Sequence, residues 1–199
     1  GVPKDVLHLL TGGGAVGAAL VKDGRTAGVV FTGSNETAWA IQSALAQKRG
    51  PIVPFIAETG GINAMIAESS ALPEQVVRDL VRSAFDSAGQ RCSAARVLFV
   101  QSDVANQTID MLVGAIATLE IGDPMNYATD IGPVIDLEAK GNIENHIQTM
   151  RAKGRPVFQA VRENNEDARE WQTGTFVPPT LIELASFDEL KKEVFGPVL

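Results

Sequence analysis

The chain has 199 residues, 45% of them hydrophobic and 21% charged, the mix of a globular protein able to bury a core. Seventeen Lys and Arg against twenty-four Asp and Glu leave a formal net charge of −7 with no basic cluster, which disfavours nucleic acid or an anionic membrane surface as a partner. No apolar run reaches the roughly 18 residues of a membrane span, His8 and His146 are too few for a multi-histidine metal site, and one cysteine cannot form an internal disulfide.

The lone cysteine and the lack of a signal-peptide pattern point to the cytosol. The opening "GVPKDVLHLLTGGG" has no initiator Met and the end "KEVFGPVL" is apolar, so the chain reads as an internal piece of a longer protein. In chain order, "VLHLL" (6–10), "AGVVF" (27–31), "IVPFIA" (52–57), "NAMIA" (63–67), "RVLFVQ" (96–101), "PVFQAV" (156–161) and "FVPPTLIEL" (176–184) read as strands. Helices fall between several of them. In 74–88, Val76, Val77, Leu80, Val81, Ala84, Phe85 and Ala88 recur at helical spacing between Pro73 and Gly89. In 104–119, Ala105, Ile109, Leu112, Ile116 and Leu119 recur by threes and fours, with Asp103 as the expected N-cap. A third helix runs from Asp136 to a stop at Gly154, and the polar "RENNEDAREW" (162–171) reads as a solvated loop or hairpin tip. Strand–helix alternation predicts an α/β fold with a largely parallel sheet.

Four short stretches carry chemistry. "GGGAVG" satisfies G-x-G-x-x-G at Gly12, Gly14 and Gly17, after an expected strand and before a helix. The next strand ends "VVFTGS" without the acid that an ordinary dinucleotide fold uses for the ribose, so a plain turn explains the glycines equally well. "FTGSNE" (31–36) is a second strand-to-helix turn. Gly33 allows it to be tight, and Ser34 or Asn35 could cap the helix, where free amides suit a phosphate. "AETGG" (57–61) puts Glu58 at a strand end, either as a solvated loop residue or as a general base. "SAGQRCSAARVLFV" (87–100) puts Cys92 between a helix and a strand, with small residues on both sides. A buried cysteine often serves as a small hydrophobe. Here Gly89, Ser87, Ala88, Ser93 and Ala94 leave room beside the sulfur, and Arg91 could favour the thiolate. A thiol and a base on loops leaving a sheet are the parts of covalent acyl chemistry.

"FTGS", "ETGG", "GQRCS" and "KEVFGPV" occur in the order of the four signature segments of the NAD(P)-dependent aldehyde dehydrogenase superfamily, which the chain resembles over nearly its whole length. "NAMIAESSALPEQVVRDLVRSAFDSAGQRCSAARVL" and "TDIGPVIDLEAKGNIENHIQTMRAKGRPVFQAVRENNEDAREWQTGTFVPPTLIEL" further resemble the L-glutamate γ-semialdehyde (Δ1-pyrroline-5-carboxylate) dehydrogenase module of bacterial bifunctional proline-utilisation enzymes. The resemblance implies an aldehyde-dehydrogenase-like α/β fold. Residues 1–50 would end a partial Rossmann-type NAD domain, and 51–199 would form most of the catalytic domain, truncated at its C-terminal end. It aligns Cys92 with the nucleophile and Glu58 with the general base. Gly33 and Ser34 align with the turn at the NAD pyrophosphate, Glu193 with the carboxylate on the nicotinamide ribose, Phe195 with the ring beside the nicotinamide, and Ser93 with a serine near the substrate carboxylate. Two positions depart from many relatives: Ala38 stands where they have Gly, and Ile62 where they have Lys or Gln. Neither removes a reacting group.

The implied reaction is NAD-dependent oxidation of the semialdehyde to L-glutamate through a cysteine thiohemiacetal and thioester, the second step of proline catabolism. The implied parent is a cytoplasmic homo-oligomer that could be peripheral on the inner membrane. It also carries an FAD-dependent proline dehydrogenase domain, of which nothing is present in these residues. Two rivals remain at this level. One is a cysteine hydrolase with His8 or His146 as base; the other is a structural or interaction fragment without activity. The isolated 199 residues are expected to turn over little aldehyde, because several implied groups lie outside them.

Overall fold

The computed structural model describes residues 1–160 and 174–199. They divide into two compact units, Gly1–Gly60 and Gly61–Leu199. The expected tip at 162–171 lies outside the described residues.

In the first unit, α1 (Gly14–Lys22) is followed by β1 (Val29–Gly33), α2 (Asn35–Ala46) and β2 (Phe55–Thr59). β1 and β2 pair in parallel, from Val29 opposite Phe55 to Gly33 opposite Thr59, with α2 as the crossover that a parallel pair requires. β2 is the last element of this βαβ unit and lies within the compact unit Gly1–Gly60. Ser34, not Asn35, is the N-cap of α2: its hydroxyl accepts from the Thr37 N–H at 3.2 Å. Lys48 Nζ donates to the carbonyls of Asp23 (2.7 Å), Thr26 (3.3 Å) and Val21 (3.4 Å), tying the end of α1 to the segment after α2. The expected strand at 6–10 does not form. Leu7 and Leu9 are exposed, and among the described residues no backbone ladder pairs with this segment, so its β propensity has nothing to act on. The "GGGAVG" glycines therefore open α1 without a strand before them.

The second unit contains β3 (Asn63–Ala67), α3 (Pro73–Phe85), β4 (Ala95–Val100), α4 (Ser102–Ala117), α5 (Leu137–Ala152), β5 (Val157–Gln159) and β6 (Thr180–Ile182). β3 and β4 pair in parallel with a bulge at Asn63/Ala64; β5 and β6 are antiparallel. Of the seven residues that periodicity selects over 74–88, α3 buries Val77, Leu80, Ala84 and Phe85, while Val76 and Val81 are only partly buried; the four share one core cluster with Leu112 and Ile116 of α4 and Ile143, Ile147 and Met150 of α5. Pro73 starts α3 where a missing N–H is harmless. α4 begins earlier than expected: Gln101 is its N-cap, and Asp103 lies in the first turn, where its charge complements the helix dipole. Asp136 caps α5 by accepting from the Ala139 N–H at 2.8 Å, and Gly154 ends it at φ 73°. The 176–184 run shortens to β6 because Pro178 and Pro179 have no N–H for a ladder. The terminal "GPVL" then pairs beside β6: Thr180 N–H donates to Pro197 O at 2.9 Å, and Ile182 N–H to Leu199 O at 2.8 Å. Among the described residues, no helix is long and apolar enough to cross a membrane.

Between α3 and β4 the chain turns through three consecutive left-handed residues, Ser87 (φ 57°), Ala88 (φ 52°) and Gly89 (φ 65°). For Ser87 and Ala88 this conformation costs about 1 kcal/mol or more each. Close packing holds it in place. Ala88 is buried in the core, and a Cβ on Gly89 would collide with the Gly196 carbonyl and approach Ala84 O to 2.8 Å. Gly89→Ala is expected to destabilise this unit by about 3 kcal/mol, since strain and collision add. Denaturant unfolding checks this; an unchanged midpoint would mean the contact with Gly196 is not tight.

Candidate active site

β4 begins just after the turn, and Cys92 lies on the short loop between them. Four ties hold that loop and its junction with β4 to the surrounding chain. The Asn63 carboxamide, at the start of β3, donates to the Cys92 carbonyl at 2.7 Å and the Ala94 carbonyl at 3.0 Å. The Gln90 side chain accepts from the Ile135 N–H at 3.0 Å. Ser83 Oγ on α3 accepts from the Ala95 N–H at 3.2 Å. Arg96 Nη2 donates to the Arg91 carbonyl at 3.2 Å. With its backbone carbonyls so engaged, the loop presents an exposed thiol at Cys92 and an exposed Ser93.

This exposure speaks against the packed-hydrophobe reading of Cys92. In the native protein Cys92 should react with a thiol reagent to one equivalent, at the rate of an open thiol. Reaction only after denaturation would contradict this placement. Arg91 behaves differently from its expected role beside the sulfur. Its guanidinium turns back to the C-terminal carbonyls of α3, 3.2 Å from Arg82 O and 3.4 Å from Ser83 O, where a cation complements the helix dipole. Among the described residues, neither histidine hydrogen-bonds to Cys92 Sγ. His8 Nε2 contacts Asp5 O at 3.0 Å, and His146 is half-buried, with desolvation first, then Lys153 and Lys192, pushing its pKa below the ordinary value.

Glu193 and Phe195 stand on the segment pinned beside β6. Arg96, at the second position of β4, is buried, its side chain only 2% exposed. It donates to Glu193 Oε1 from Nε (3.1 Å) and Nη2 (2.9 Å), and to Gly196 O from Nη1 (3.1 Å). Its guanidinium carbon lies 5.3 Å from the centre of the Phe195 ring, within cation–π range. Among the described residues Glu193 Oε2 makes no hydrogen bond. Glu193 and Phe195 line a cavity of about 860 Å³, together with Ser87, Gln90, Asn142 and His146. Periodicity and motif reading passed over both Asn63 and Arg96. An arginine heading the apolar run "RVLFVQ" was the available signal, since a buried cation requires a partner.

In the first unit, the β1–β2 register sets Thr32 opposite Glu58 and Gly33 opposite Thr59. Glu58, Gly33 and the Ser34 cap thus gather at the C-terminal ends of two adjacent parallel strands, the edge at which open α/β sheets take their ligands. Glu58, Gly33 and Ser34 are all exposed. Ala38 is buried on α2.

A family model described as the aldehyde dehydrogenase family matches residues 1–199. "Bifunctional protein PutA" of Klebsiella aerogenes is 65% identical, over 100% of this chain and 16% of that protein. "1-pyrroline-5-carboxylate dehydrogenase" of Geobacillus thermodenitrificans is 32% identical, over 100% of this chain and 38% of that protein. A crystal structure of bifunctional proline utilization A matches with a TM-score of 0.91 at 53% identity, covering 100% of this chain and 19% of that one. Betaine aldehyde dehydrogenase from Staphylococcus aureus, in complex with NAD+, matches with a TM-score of 0.89 at 28% identity, covering 100% of this chain and 39% of that one. The chain spans less than a fifth of the PutA relatives' length, at 16% and 15% for two of them. The ordered motifs, the fold and a family model matching end to end agree: the chain belongs to the aldehyde dehydrogenase family.

Proposed function

We propose that this chain is part of the NAD-dependent L-glutamate γ-semialdehyde dehydrogenase module of a longer bifunctional protein, with its N-terminal unit on the cofactor side and its C-terminal unit carrying the nucleophile. The observation that carries the chemistry is the exposed Cys92 on a loop held by Asn63 and Arg96, with Arg96 also gripping Glu193. The substrate assignment rests on the 65% identity to a bifunctional PutA over the whole chain.

The residues present suit a nicotinamide dinucleotide. Among the described residues one Glu193 carboxylate oxygen has no hydrogen-bond partner, which suits ribose hydroxyls. The half-exposed Phe195 ring suits a planar heterocycle, and the capped N-terminus of α2 suits a phosphate. When bound, such a cofactor accepts the hydride of the oxidation.

Cys92 attacks the aldehyde carbon as thiolate, forming a thiohemiacetal. The Cys92 N–H donates to no protein acceptor among the described residues, which leaves it available to the oxyanion. Oxidation leaves a thioester on Cys92. Glu58 takes a proton from water, which attacks the thioester carbonyl and releases L-glutamate and the free thiol. Ser93, exposed beside the nucleophile, is assigned to the substrate carboxylate. A hydrolase would instead require an imidazole at the sulfur, and neither histidine hydrogen-bonds there. The test is NADH formation by the full-length protein with L-glutamate γ-semialdehyde. Absence of turnover with this aldehyde, alongside turnover of others, would overturn the substrate assignment.

A further inference from the structure

Among the described residues, every acceptor of Arg96 lies in one of two motif segments. Arg91 O immediately precedes the nucleophile; Glu193 Oε1 and Gly196 O flank Phe195, whose ring lies against the same guanidinium. A cation recruited only for stability could pair with any nearby acid. Moreover, burying it is costly, so its value lies in geometry more than in Coulomb energy. The geometry at Arg91 is specific. The 91–92 peptide is trans, so its carbonyl and the Cys92 N–H point in opposite directions. The carbonyl receives Ala94 N–H at 3.0 Å and Arg96 Nη2 at 3.2 Å. Both donors fix the plane of that peptide, and the positive one polarises it, making the opposite N–H a better donor.

We propose that Arg96 is a positioning residue that sets the Cys92 N–H and the Glu193 carboxylate together, so that oxyanion donation and cofactor grip are coupled through one guanidinium. The proposal rests on the functional reading above. It adds that the two motifs are not independent: disturbing the guanidinium loosens both, and a smaller cation restores only one. Lysine can keep a charge on Glu193, but its single nitrogen cannot replace the planar fork that also reaches Arg91 O and Gly196 O.

The experiment uses the full-length protein and the variants Arg96→Gln, Arg96→Lys, Glu193→Gln and Arg96→Gln/Glu193→Gln, each checked by thermal melting. Two quantities are read: the dissociation constant of NAD+ without aldehyde, and kcat at saturating NAD+. Arg96→Gln should weaken NAD+ binding and lower kcat, each by about 10–100-fold, the range of a lost charge-assisted hydrogen bond. Arg96→Lys should recover most of the NAD+ affinity but not kcat, a split that loosened packing alone would not give. Adding Glu193→Gln to Arg96→Gln should change NAD+ affinity by less than about twofold, because the two act as one unit. Effects that multiply, or a folded Arg96→Gln with unchanged kcat and affinity, would overturn the proposal. If Arg96→Gln fails to fold, Arg96→Lys decides: normal kcat overturns the proposal, and lowered kcat with retained affinity supports it. An unmodified protein that binds no NAD+ sinks the functional reading and this inference with it, whereas one that binds NAD+ regardless of residue 96 sinks the inference alone.

Discussion

Replacing Cys92 with alanine in the full-length protein should abolish aldehyde oxidation, with a loss of roughly 10⁴-fold or more, the scale seen when a covalent nucleophile is removed. The first turnover should disappear along with the steady state, because without the thiol no thiohemiacetal forms. Stability should barely change. The side chain is exposed, and the four ties that hold its loop use backbone groups of Arg91, Cys92, Ala94 and Ala95 and the side chain of Gln90. Surface changes of this kind fall within about 0.5 kcal/mol. NADH formation and a thermal melt on the same preparation check both halves. An active alanine variant would remove Cys92 from the chemistry; an inactive, unfolded one would show that the loop depends on the sulfur for its structure.

Glu58→Gln should separate acylation from deacylation. The amide keeps the size of the carboxylate but cannot take a proton from water. General-base assistance contributes about 10²–10⁴-fold, and that loss should fall on thioester hydrolysis. In rapid mixing with excess aldehyde and NAD+, NADH should appear in a burst near one equivalent per site, followed by a slow steady state. Normal steady turnover would assign the base to another residue. Glu58 is exposed at the end of β2, so the substitution should leave the fold intact.

Much of this architecture was legible because it is local. The helical spacing of Val77, Leu80, Ala84 and Phe85 survives directly as the buried face of α3, and Asp136 and Gly154 bound α5 by cap chemistry that acts within a turn. The segment 6–10 shows the limit: its apolar pattern is strand-like, but a strand exists only by its ladder, and no described backbone supplies one. The roles proposed for Cys92, Glu58 and Glu193 rest on short motifs that the sequence carries on its surface. The supports of these residues were not legible there. Asn63 acts across 29 and 31 residues and Arg96 across 97, separations at which neither periodicity nor motif spacing carries information. The left-handed run Ser87–Gly89 was only partly legible. Gly89 announces it, but Ser87 and Ala88 adopt positive φ because Ala88 is buried and Gly89 packs on Gly196, contacts that form only in the folded chain.

The acyl-enzyme itself can be captured. Full-length Glu58→Gln protein, mixed with L-glutamate γ-semialdehyde and NAD+, acid-quenched after the burst and cleaved at arginine, releases Cys92–Arg96 as a five-residue peptide, "CSAAR". Mass analysis should find the five-carbon glutamyl acyl group on Cys92 of that peptide, dependent on NAD+ and in proportion to the NADH burst. An unmodified Cys92 peptide in a sample that has released a full equivalent of NADH would contradict covalent catalysis by this thiol.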